Sequence, residues 1–345
     1  MTGLEAKGGG APQTVHVVAT CTDRKTRGPH PGARARDLPV GPLAARFAAW
    51  REALATTAQD CIPAERLYAG DHWQVVRGLP SDAPASVTVR VWVCSAGYGL
   101  IALDTPVRPY AATFSTGHPD TVAPRGGEFL ATDWWNALSE WRPAGTTVRS
   151  LTELAAQAQS GSESILAALS EPYVAAVQRD LAAAADLLND RLLILSVGAR
   201  ADRLRRGSGE AARLAPHLLA TTGALKEVVG GAMQSLNARL ARQAVRVADE
   251  WAGDPGCLRA LFEEWSHQAP PRMPFDRTRS DDVALREYVN AALREDPSLT
   301  YTSLLRTLRA SGRACEQARF RALFREVRHE LALPAKPRLP RQRPA

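Results

Sequence analysis

Valine occupies every second position from 87 to 93, which is the clearest pattern of apolar and polar positions in the chain. Such alternation is typical of a β-strand that enters a core. The run ends at Ser95-Ala96-Gly97-Tyr98-Gly99, where two glycines permit a tight turn and a close approach to a ligand. Strand ends of this kind bind ligands in open α/β sheets, so we expect a ligand-binding turn here, with an ordinary strand-to-loop turn as the alternative.

Similar patterns predict the other elements of a large N-terminal domain. Further strands are predicted over Thr14–Thr20, before the polar loop Cys21–Lys25, and over Arg191–Gly198. Helices are predicted over Leu43–Ala55, after an N-cap at Asp133, over Leu151–Leu169 and over Pro172–Asn189. This order predicts an α/β fold with a mixed or parallel sheet flanked by helices.

The last quarter of the chain has the pattern of a separate helical domain. The proline-rich stretch Pro270–Pro274 predicts a linker, and Leu308–Phe324, with a break at Ser311-Gly312, looks like a helix-turn-helix that lays one helix along DNA. We therefore predict a flexible leader at 1–13, an α/β catalytic domain at 14–269, a small all-α DNA-binding domain at 270–333 and a disordered Pro/Arg tail at 334–345.

The net charge of +7 lies entirely in this last part, because residues 270–345 carry 16 arginines and lysines against 9 aspartates and glutamates. A basic appendage on a neutral body suggests contact with nucleic-acid phosphates. The candidates for contacts to the DNA backbone are Arg306, Arg309, Arg313, Arg319, Arg321 and Arg325. One alternative is that these arginines simply face solvent on the surface of a helix. A second is that GC-rich coding, rather than phosphate binding, accounts for the excess of arginine over lysine in the chain.

Membrane spans and bound cofactors are not indicated. No stretch of about 18 apolar residues is present, and the five cysteines show no C-x-x-C spacing that would indicate a disulfide framework, a zinc site or an iron–sulfur site. We therefore expect a cytoplasmic monomer without a metal or cofactor.

The N-terminal motifs carry a resemblance to a known family. A strand ending in Cys-x-x-Arg-Lys, the element Leu67-Tyr68-x-Gly70, a strand ending in Ser95-Ala96-x-Tyr98-Gly99-Leu100 and the later Pro109-Tyr110 resemble the bacterial family related to the YaaA-type peroxide-stress protein and to tRNA-guanine transglycosylases. Within that group the chain is most similar to anti-phage DNA glycosylases. The stretch Gly223–Arg239 is similar to the family's glycine-rich Ser-x-Asn-x-Arg segment.

The resemblance implies an enzyme that excises a modified base, namely glucosylated hydroxymethylcytosine, from phage DNA. Cleavage of an N-glycosidic bond passes through an oxocarbenium-like sugar, which a carboxylate stabilises, and the base must first leave the stack. The candidate carboxylates, in order of preference, are Asp104, Asp120 and Asp23. The candidate base- or nucleotide-binding residues are Cys21, Thr22, Arg24, Lys25, Tyr68, Ser95, Gly97, Tyr98, Gly99, Tyr110, Ser196, Asn237 and Arg239.

Several alternatives stay open at this stage. Tyr68 is equally well explained as a buried core residue, and Asn237 and Arg239 as solvated helix residues. Because Lys25 is the only lysine in these motifs, we favour a monofunctional glycosylase that uses a carboxylate and water over a lyase with an amine nucleophile. A base-exchange transglycosylase and a noncatalytic DNA-binding stress protein are the competing functions.

Overall fold

The computed structural model describes residues 13–55, 61–123, 126–143, 146–161, 163–197, 204, 206, 209–270 and 278–333. The chain divides into two compact units, Met1–Pro271 and Arg272–Ala345. Residues 1–12 of the predicted leader, positions 271–277 around the predicted linker and the predicted tail at 334–345 lie outside the described residues. None of the helices within the described ranges is long and apolar enough to cross a membrane.

The first unit is built on a five-stranded mixed sheet. Its strands are β1 (Gln13–Thr20), β3 (Val87–Ser95), β4 (Gly99–Ala102), β6 (Ser164–Ala168) and β7 (Leu192–Leu195), and the short strands β2 (Ile62–Pro63) and β5 (Pro106–Val107) form a separate antiparallel pair. The strand order is β4-β3-β1-β6-β7. All neighbours in the large sheet run parallel except β4, which pairs antiparallel with β3.

Strand β1 lies at the point where the strand order reverses. The chain passes from β1 to β3 on one side of it, and then returns to β6 and β7 on the other side. The loops that follow β1 and β6 therefore leave in opposite directions and open a crevice at the carboxyl ends of these strands. Both halves of the first unit thus contribute to one sheet.

Helices flank this sheet and belong to the same hydrophobic core. Those of the first unit are Leu43–Leu54, Ala64–Leu67, Asp71–Asp82, Ala131–Glu140, Leu151–Gln159, Glu171–Ala176, Gln178–Leu188, Glu210–Leu214, Lys226–Val229, Leu236–Arg246, Ala248–Trp251 and Pro255–Gln268. The mixed sheet and its helical flanks confirm the predicted α/β class.

One predicted helix is wrong. The segment Leu151–Leu169 contains a helix only up to Gln159, and its second half is the buried strand β6. All five residues of β6 are buried between β1 and β7. A central strand covered on both faces has no polar alternation, so its short apolar run cannot be distinguished from a buried helix by periodicity.

The second unit has its own small core. Helices Asp282–Glu295, Tyr301–Ala310 and Gln317–Glu330 enclose buried leucines, valines and phenylalanines, and the short strands β8 (Thr278–Arg279) and β9 (Arg313–Ala314) pair in parallel. The second helix ends at Ala310, and the chain turns at Gly312, whose φ is +76°, before the third helix begins at Gln317.

Candidate functional site

A cavity of about 630 Å³ lies at the carboxyl end of β1, in the crevice beside the switch point. Its walls come from the loops after β1 and β6 and from the starts of the helices Asp71–Asp82 and Leu236–Arg246. Most of its side chains are polar. They include Thr20, Cys21, Thr22, Asp23, Arg24, Asp71, His72, Thr113, Ser115, Ser170, Tyr173, Gln234, Ser235 and Asn237.

The loop after β1 brings four predicted site residues to this cavity. The Thr22 hydroxyl donates to the Arg24 carbonyl over 2.8 Å, and the Lys25 ammonium donates to the Thr22 carbonyl over 3.1 Å. These bonds fold the loop back on itself, so Asp23 and Arg24 are exposed at the cavity wall. Cys21 is nearly buried, and its thiol lies 3.1 Å from the Tyr173 hydroxyl.

Lys25 does not line the cavity; its ammonium group donates to carbonyls of the loop after β1. Its ammonium nitrogen lies 4.6 Å from the ring centroid of Tyr110 and 5.7 Å from that of Tyr68. Burial lowers the pKa of Lys25, although the nearby Cys21 and Asp23 act in the opposite direction. The cation therefore stabilises the loop by cation–π and hydrogen-bond contacts.

Asp23 is the predicted carboxylate that reaches the cavity. Its side chain is 71% exposed, and its Oδ1 lies 3.9 Å from Nε2 of His118. Because the Asp120 backbone N–H donates to Nδ1 of His118 over 3.0 Å, the neutral ring carries its proton on Nε2, facing Asp23. The carboxylate thus combines access to the cavity with a polar neighbour.

Asp120 is close to this loop but is occupied by an ion pair. It is buried, and Arg36 donates to both of its oxygens, with Nε 2.7 Å from Oδ1. Burial alone would raise the pKa of Asp120, but the bidentate bond and charge of Arg36 hold it below its usual value. Such a carboxylate shapes the site and is not available to accept a proton.

Asp104, the first choice among the predicted carboxylates, lies away from this cavity. It is exposed in the turn after the antiparallel strand β4. There it lines a different cavity of about 310 Å³, together with Trp92, Thr105 and Thr147. The structure therefore does not bring Asp104 together with Asp23.

The turn after β3 is buried, although the sequence predicts a ligand-binding turn. Ser95 accepts hydrogen bonds from the backbone N–H groups of Gly97 and Tyr98, and the indoles of Trp50 and Trp134 donate to the carbonyls of Gly97 and Ala96. A Cβ on Gly97 would lie 2.4 Å from the Tyr110 ring, so the close approach that requires glycine is made by a tyrosine. At Gly99 the φ of +74° provides a further reason for glycine.

The three tyrosines that the sequence offers as stacking platforms are core residues. Tyr68, Tyr98 and Tyr110 are each at most 5% exposed, and none lines the cavity. The Tyr110 hydroxyl lies 2.8 Å from that of Tyr68 and 2.7 Å from Oγ of Ser95. Tyr98 lines a different cavity, of about 750 Å³, beside the helix Leu43–Leu54. Tyr68 is held in the core by this network, so the alternative of a structural Tyr68 describes its position better.

Asn237 connects the ends of two strands and also lines the cavity. Its Oδ1 accepts from the Val197 backbone N–H over 3.0 Å, and its Nδ2 donates to the Leu169 carbonyl over 2.9 Å. These bonds join the segments that follow β6 and β7. Ser196, also predicted to bind, is buried beside this junction and does not reach the cavity.

Arg239 acts behind the cavity wall. It donates to Asp71 over 2.8 Å and to Ser235 over 3.2 Å, and both of these partners line the cavity. Gly231, the second glycine of the Gly230-Gly231 pair, has a φ of +80°, which favours glycine, and a Cβ there would also displace the Arg239 side chain, whose Nε would lie 2.1 Å away. Hydrogen bonding by Ser235, together with the charge of Arg239, lowers the pKa of Asp71.

His72 and Asp71 are site residues that the sequence analysis missed. Both belong to the first turn of the helix that begins after Gly70, whose φ of +103° favours glycine. The available signal was their position directly after the Leu67-Tyr68-x-Gly70 motif, where a helix start presents N–H groups. His72 donates from Nε2 to the Thr20 carbonyl over 3.0 Å, and burial lowers its pKa.

In the second unit, the six predicted DNA-contacting arginines fall into two groups. Arg319 donates to Asp282 over 2.7 Å, Arg309 donates to the Cys315 carbonyl and Arg313 lies over the Tyr288 ring, so these three hold the unit together. Arg306, Arg321 and Arg325 are exposed and have no ion-pair partner within the described ranges, although Arg321 also lies over a ring, 5.5 Å from the centroid of Tyr301. Arg321 and Arg325 are four residues apart on the third helix.

Within the described ranges, no group of three or more His, Cys, Asp and Glu side chains is arranged to hold a metal ion.

The chain was also compared with known proteins. A scan against protein-family models, a search of curated proteins and a search of solved structures each found no match.

Proposed function

We propose that this protein is a monofunctional DNA glycosylase that hydrolyses the N-glycosidic bond of a modified, flipped-out base and leaves an abasic site. The observation that carries this proposal is the polar cavity at the switch point of the sheet, whose volume of about 630 Å³ is within the range of small-molecule sites. The sequence resemblance suggests glucosylated hydroxymethylcytosine in phage DNA as the base.

Asp23 is the carboxylate best placed for the reaction, because it is exposed at the cavity and no Arg or Lys side chain forms an ion pair with it in the described ranges; its one charged-type neighbour there is His118, at 3.9 Å. Water attacks C1′ of the sugar and transfers a proton to Asp23, while the bond from C1′ to the base nitrogen breaks. The electron pair of that bond leaves with the base, which then takes up a proton. As the bond to the base breaks, the Asp23 charge stabilises the oxocarbenium-like character of the sugar in the transition state.

The exposed arginines of the second unit supply the contact with DNA in this proposal. Between the second and third helices lies a six-residue connection that contains the turn at Gly312 and strand β9, and we take these two helices as the pair that contacts DNA. Gln317, Arg321 and Arg325 recur every four residues along it and therefore share one face. Exposed arginines on one face of a helix can contact DNA phosphates, which supports sequence-independent binding.

The test is incubation of the purified protein with unmodified, hydroxymethylated and glucosylated phage DNA, followed by mass spectrometry of free base and an abasic-endonuclease assay. We expect free base with matching abasic sites only from modified DNA. Asp23→Asn should lower the rate of base release by about 100-fold or more, because it keeps the side-chain shape and removes the charge. Asp104→Asn is the matched comparison, and its rate should equal that of the wild type.

Other outcomes would refute the proposal in distinct ways. Intact DNA that is tightly bound would indicate a noncatalytic DNA-binding protein. Base release only when a replacement base is supplied would indicate a base-exchange enzyme. A normal rate for Asp23→Asn together with a slow Asp104→Asn would move the reaction to the smaller cavity beside β4.

A further inference from the structure

His118 lies in a turn beside the cavity and next to the candidate carboxylate. Thr113 and Ser115, which precede it in the same segment, line the cavity. Nε2 of His118 lies 3.9 Å from Oδ1 of Asp23, and the histidine side chain is 32% exposed. The two side chains therefore form a histidine–carboxylate pair at the edge of the cavity, and hydrolysis by Asp23 and water alone leaves the histidine without a role.

Backbone hydrogen bonds fix the direction of the His118 ring. The Asp120 backbone N–H donates to Nδ1 over 3.0 Å, and the Thr121 N–H donates to the His118 carbonyl over 3.0 Å. A backbone N–H can only donate, so Nδ1 of the neutral ring is the acceptor and Nε2 carries the proton. The ring thus presents an N–H donor toward Asp23.

The turn that carries His118 is anchored in the first unit, whereas Asp23 is not. Arg36 donates to both oxygens of the buried Asp120, and the Thr113 N–H donates to the Asp120 carbonyl over 3.0 Å. The Asp23 side chain is 71% exposed, and within the described ranges the contact with His118 is its only ion-pair contact. A fixed donor therefore stands beside a carboxylate that is able to rotate.

The distance between the pair is about 1 Å longer than an N–H···O hydrogen bond, whose usual length is about 2.9–3.0 Å. Rotation of the exposed Asp23 side chain can close this gap without movement of the anchored turn. Hydrogen bonds of this kind are often long in an empty site and shorten when substrate binds. Once Nε2–H holds one carboxylate oxygen, the other oxygen has a defined direction.

We propose that His118 is a positioning residue for Asp23: its Nε2–H donates to one carboxylate oxygen in the substrate complex and leaves the other to accept the proton of the attacking water. This inference rests on the proposed function, because it takes Asp23 to be the base of the hydrolysis. His118 keeps its proton throughout, so the proton passes from water to Asp23 as before. The histidine acts only through Asp23.

Two substitutions separate this role from support of the turn. His118→Asn places an amide oxygen near the position of Nδ1, so it keeps the acceptor for the Asp120 N–H and loses the donor to Asp23. His118→Gln places an amide N–H near the position of Nε2, so it keeps the donor and loses that acceptor. His267→Asn is the control, since His267 is exposed near the end of the helix Pro255–Gln268 and does not line the cavity.

The experiment measures three quantities for each variant: the single-turnover rate of base release from glucosylated phage DNA, the affinity for that DNA, and the unfolding midpoint from tryptophan fluorescence. His118→Asn should lower the rate by about 10- to 100-fold, the range for a hydrogen bond to a charged group, at wild-type affinity and midpoint. His118→Gln should stay close to the wild-type rate with a lower midpoint. His267→Asn should change none of the three.

A double-mutant cycle tests whether His118 acts through Asp23. In the Asp23→Asn background, His118→Asn should cause no further loss of rate, because the carboxylate that it positions is already absent. Independent, multiplying effects of the two substitutions would overturn the inference.

The inference is also overturned if His118→Asn releases base at the wild-type rate, or if a folded His118→Gln is as slow as His118→Asn. Either result with base release by the wild type would reject the role of His118 and leave the proposed function in place. Absence of base release by the wild type would reject the proposed function, and the inference with it.

Discussion

Replacement of Gly97 by alanine tests the finding that the turn after β3 serves the core. A Cβ at this position would lie 2.4 Å from Cε2, 2.6 Å from Cδ2 and 2.9 Å from Cζ of Tyr110. All three distances are shorter than real Cβ contacts, so either the ring or the turn must move. The ring is fully buried, and its hydroxyl is held by Tyr68 and Ser95.

Such overpacking in a well-filled core costs about 1–3 kcal/mol of the free energy of unfolding. Since Tyr110 has its hydroxyl fixed at two points, we expect the upper half of this range. For a unit of this length, about 2 kcal/mol corresponds to a fall of about 4–8 °C in the unfolding midpoint. The change also reaches the site, because Lys25 lies over the Tyr110 ring and donates to the Thr22 and Asp23 carbonyls.

Tryptophan fluorescence gives a clean measurement for this variant. All eight tryptophans belong to the first unit, between Trp50 and Trp265, so their signal reports unfolding of that unit alone. Chemical denaturation of Gly97→Ala should show a lower midpoint with an unchanged slope. Gly28→Ala is the control, since a Cβ there would meet nothing within 4 Å and should leave the midpoint in place.

An unchanged midpoint for Gly97→Ala would refute this reasoning. If the variant instead lost ligand binding at full stability, the close approach at Gly97 would belong to a ligand, as the sequence pattern predicts. If Gly97→Ala kept both the wild-type midpoint and the wild-type rate of base release, Gly97 would be required neither for core packing nor for ligand binding.

The remaining predictions concern a buried histidine and the arginines of the second unit. Nδ1 of His16 accepts a hydrogen bond from the Trp92 indole, and Nε2 lies 2.7 Å from the Glu163 carboxylate. Burial lowers the pKa of His16 in the folded state. Below about pH 6.5 the unfolded state therefore binds more protons than the folded state, and the free energy of unfolding falls. His16→Gln should therefore have a lower free energy of unfolding than the wild type at pH 7.5. This difference should shrink on acidification, by at most about 1.4 kcal/mol per pH unit, because only the wild type loses the stability tied to His16. A difference that stays constant with pH in fluorescence-monitored denaturation would contradict this. Arg325→Ala should weaken DNA binding and lower the salt dependence of the affinity by about one ion. Arg319→Ala should mainly lower the free energy of unfolding of the second unit, by up to about 1 kcal/mol, because it loses the contact with Asp282. Equal effects of the two substitutions on DNA affinity would argue against this division.

Local sequence patterns were sufficient for the strands that alternate and for the loop after β1. Strand β3 occupies Val87–Ser95, where the valine alternation predicts it, and β1 includes the predicted Thr14–Thr20. The polar loop Cys21–Arg24 lies at the cavity because it follows the carboxyl end of a parallel strand, a position that the chain order alone suggests. Asn237 also reaches the cavity, as the glycine-rich segment before it indicates.

The tertiary structure alone decided which strand ends form the site. Strand β6 is hidden in an Ala/Leu-rich segment, and without it neither the reversal of strand order at β1 nor the cavity wall at Ser170 can be inferred. The same long-range pairing sends the Ser95–Gly99 turn into the core, where the indoles of Trp50 and Trp134 occupy its carbonyls.

The sequence by itself therefore determined the α/β class, strands β1, β3 and β7 and the location of a basic C-terminal region, because these depend on periodicity and on the identity of neighbouring residues. It did not determine which polar residues share the cavity, since that depends on pairing between segments far apart in the chain. The contacts of Asn237 with Leu169 and of His72 with Thr20 both depend on such long-range pairing. Whether the glycine turn Ser95–Gly99 is exposed or buried likewise depends on the segments that pack on it.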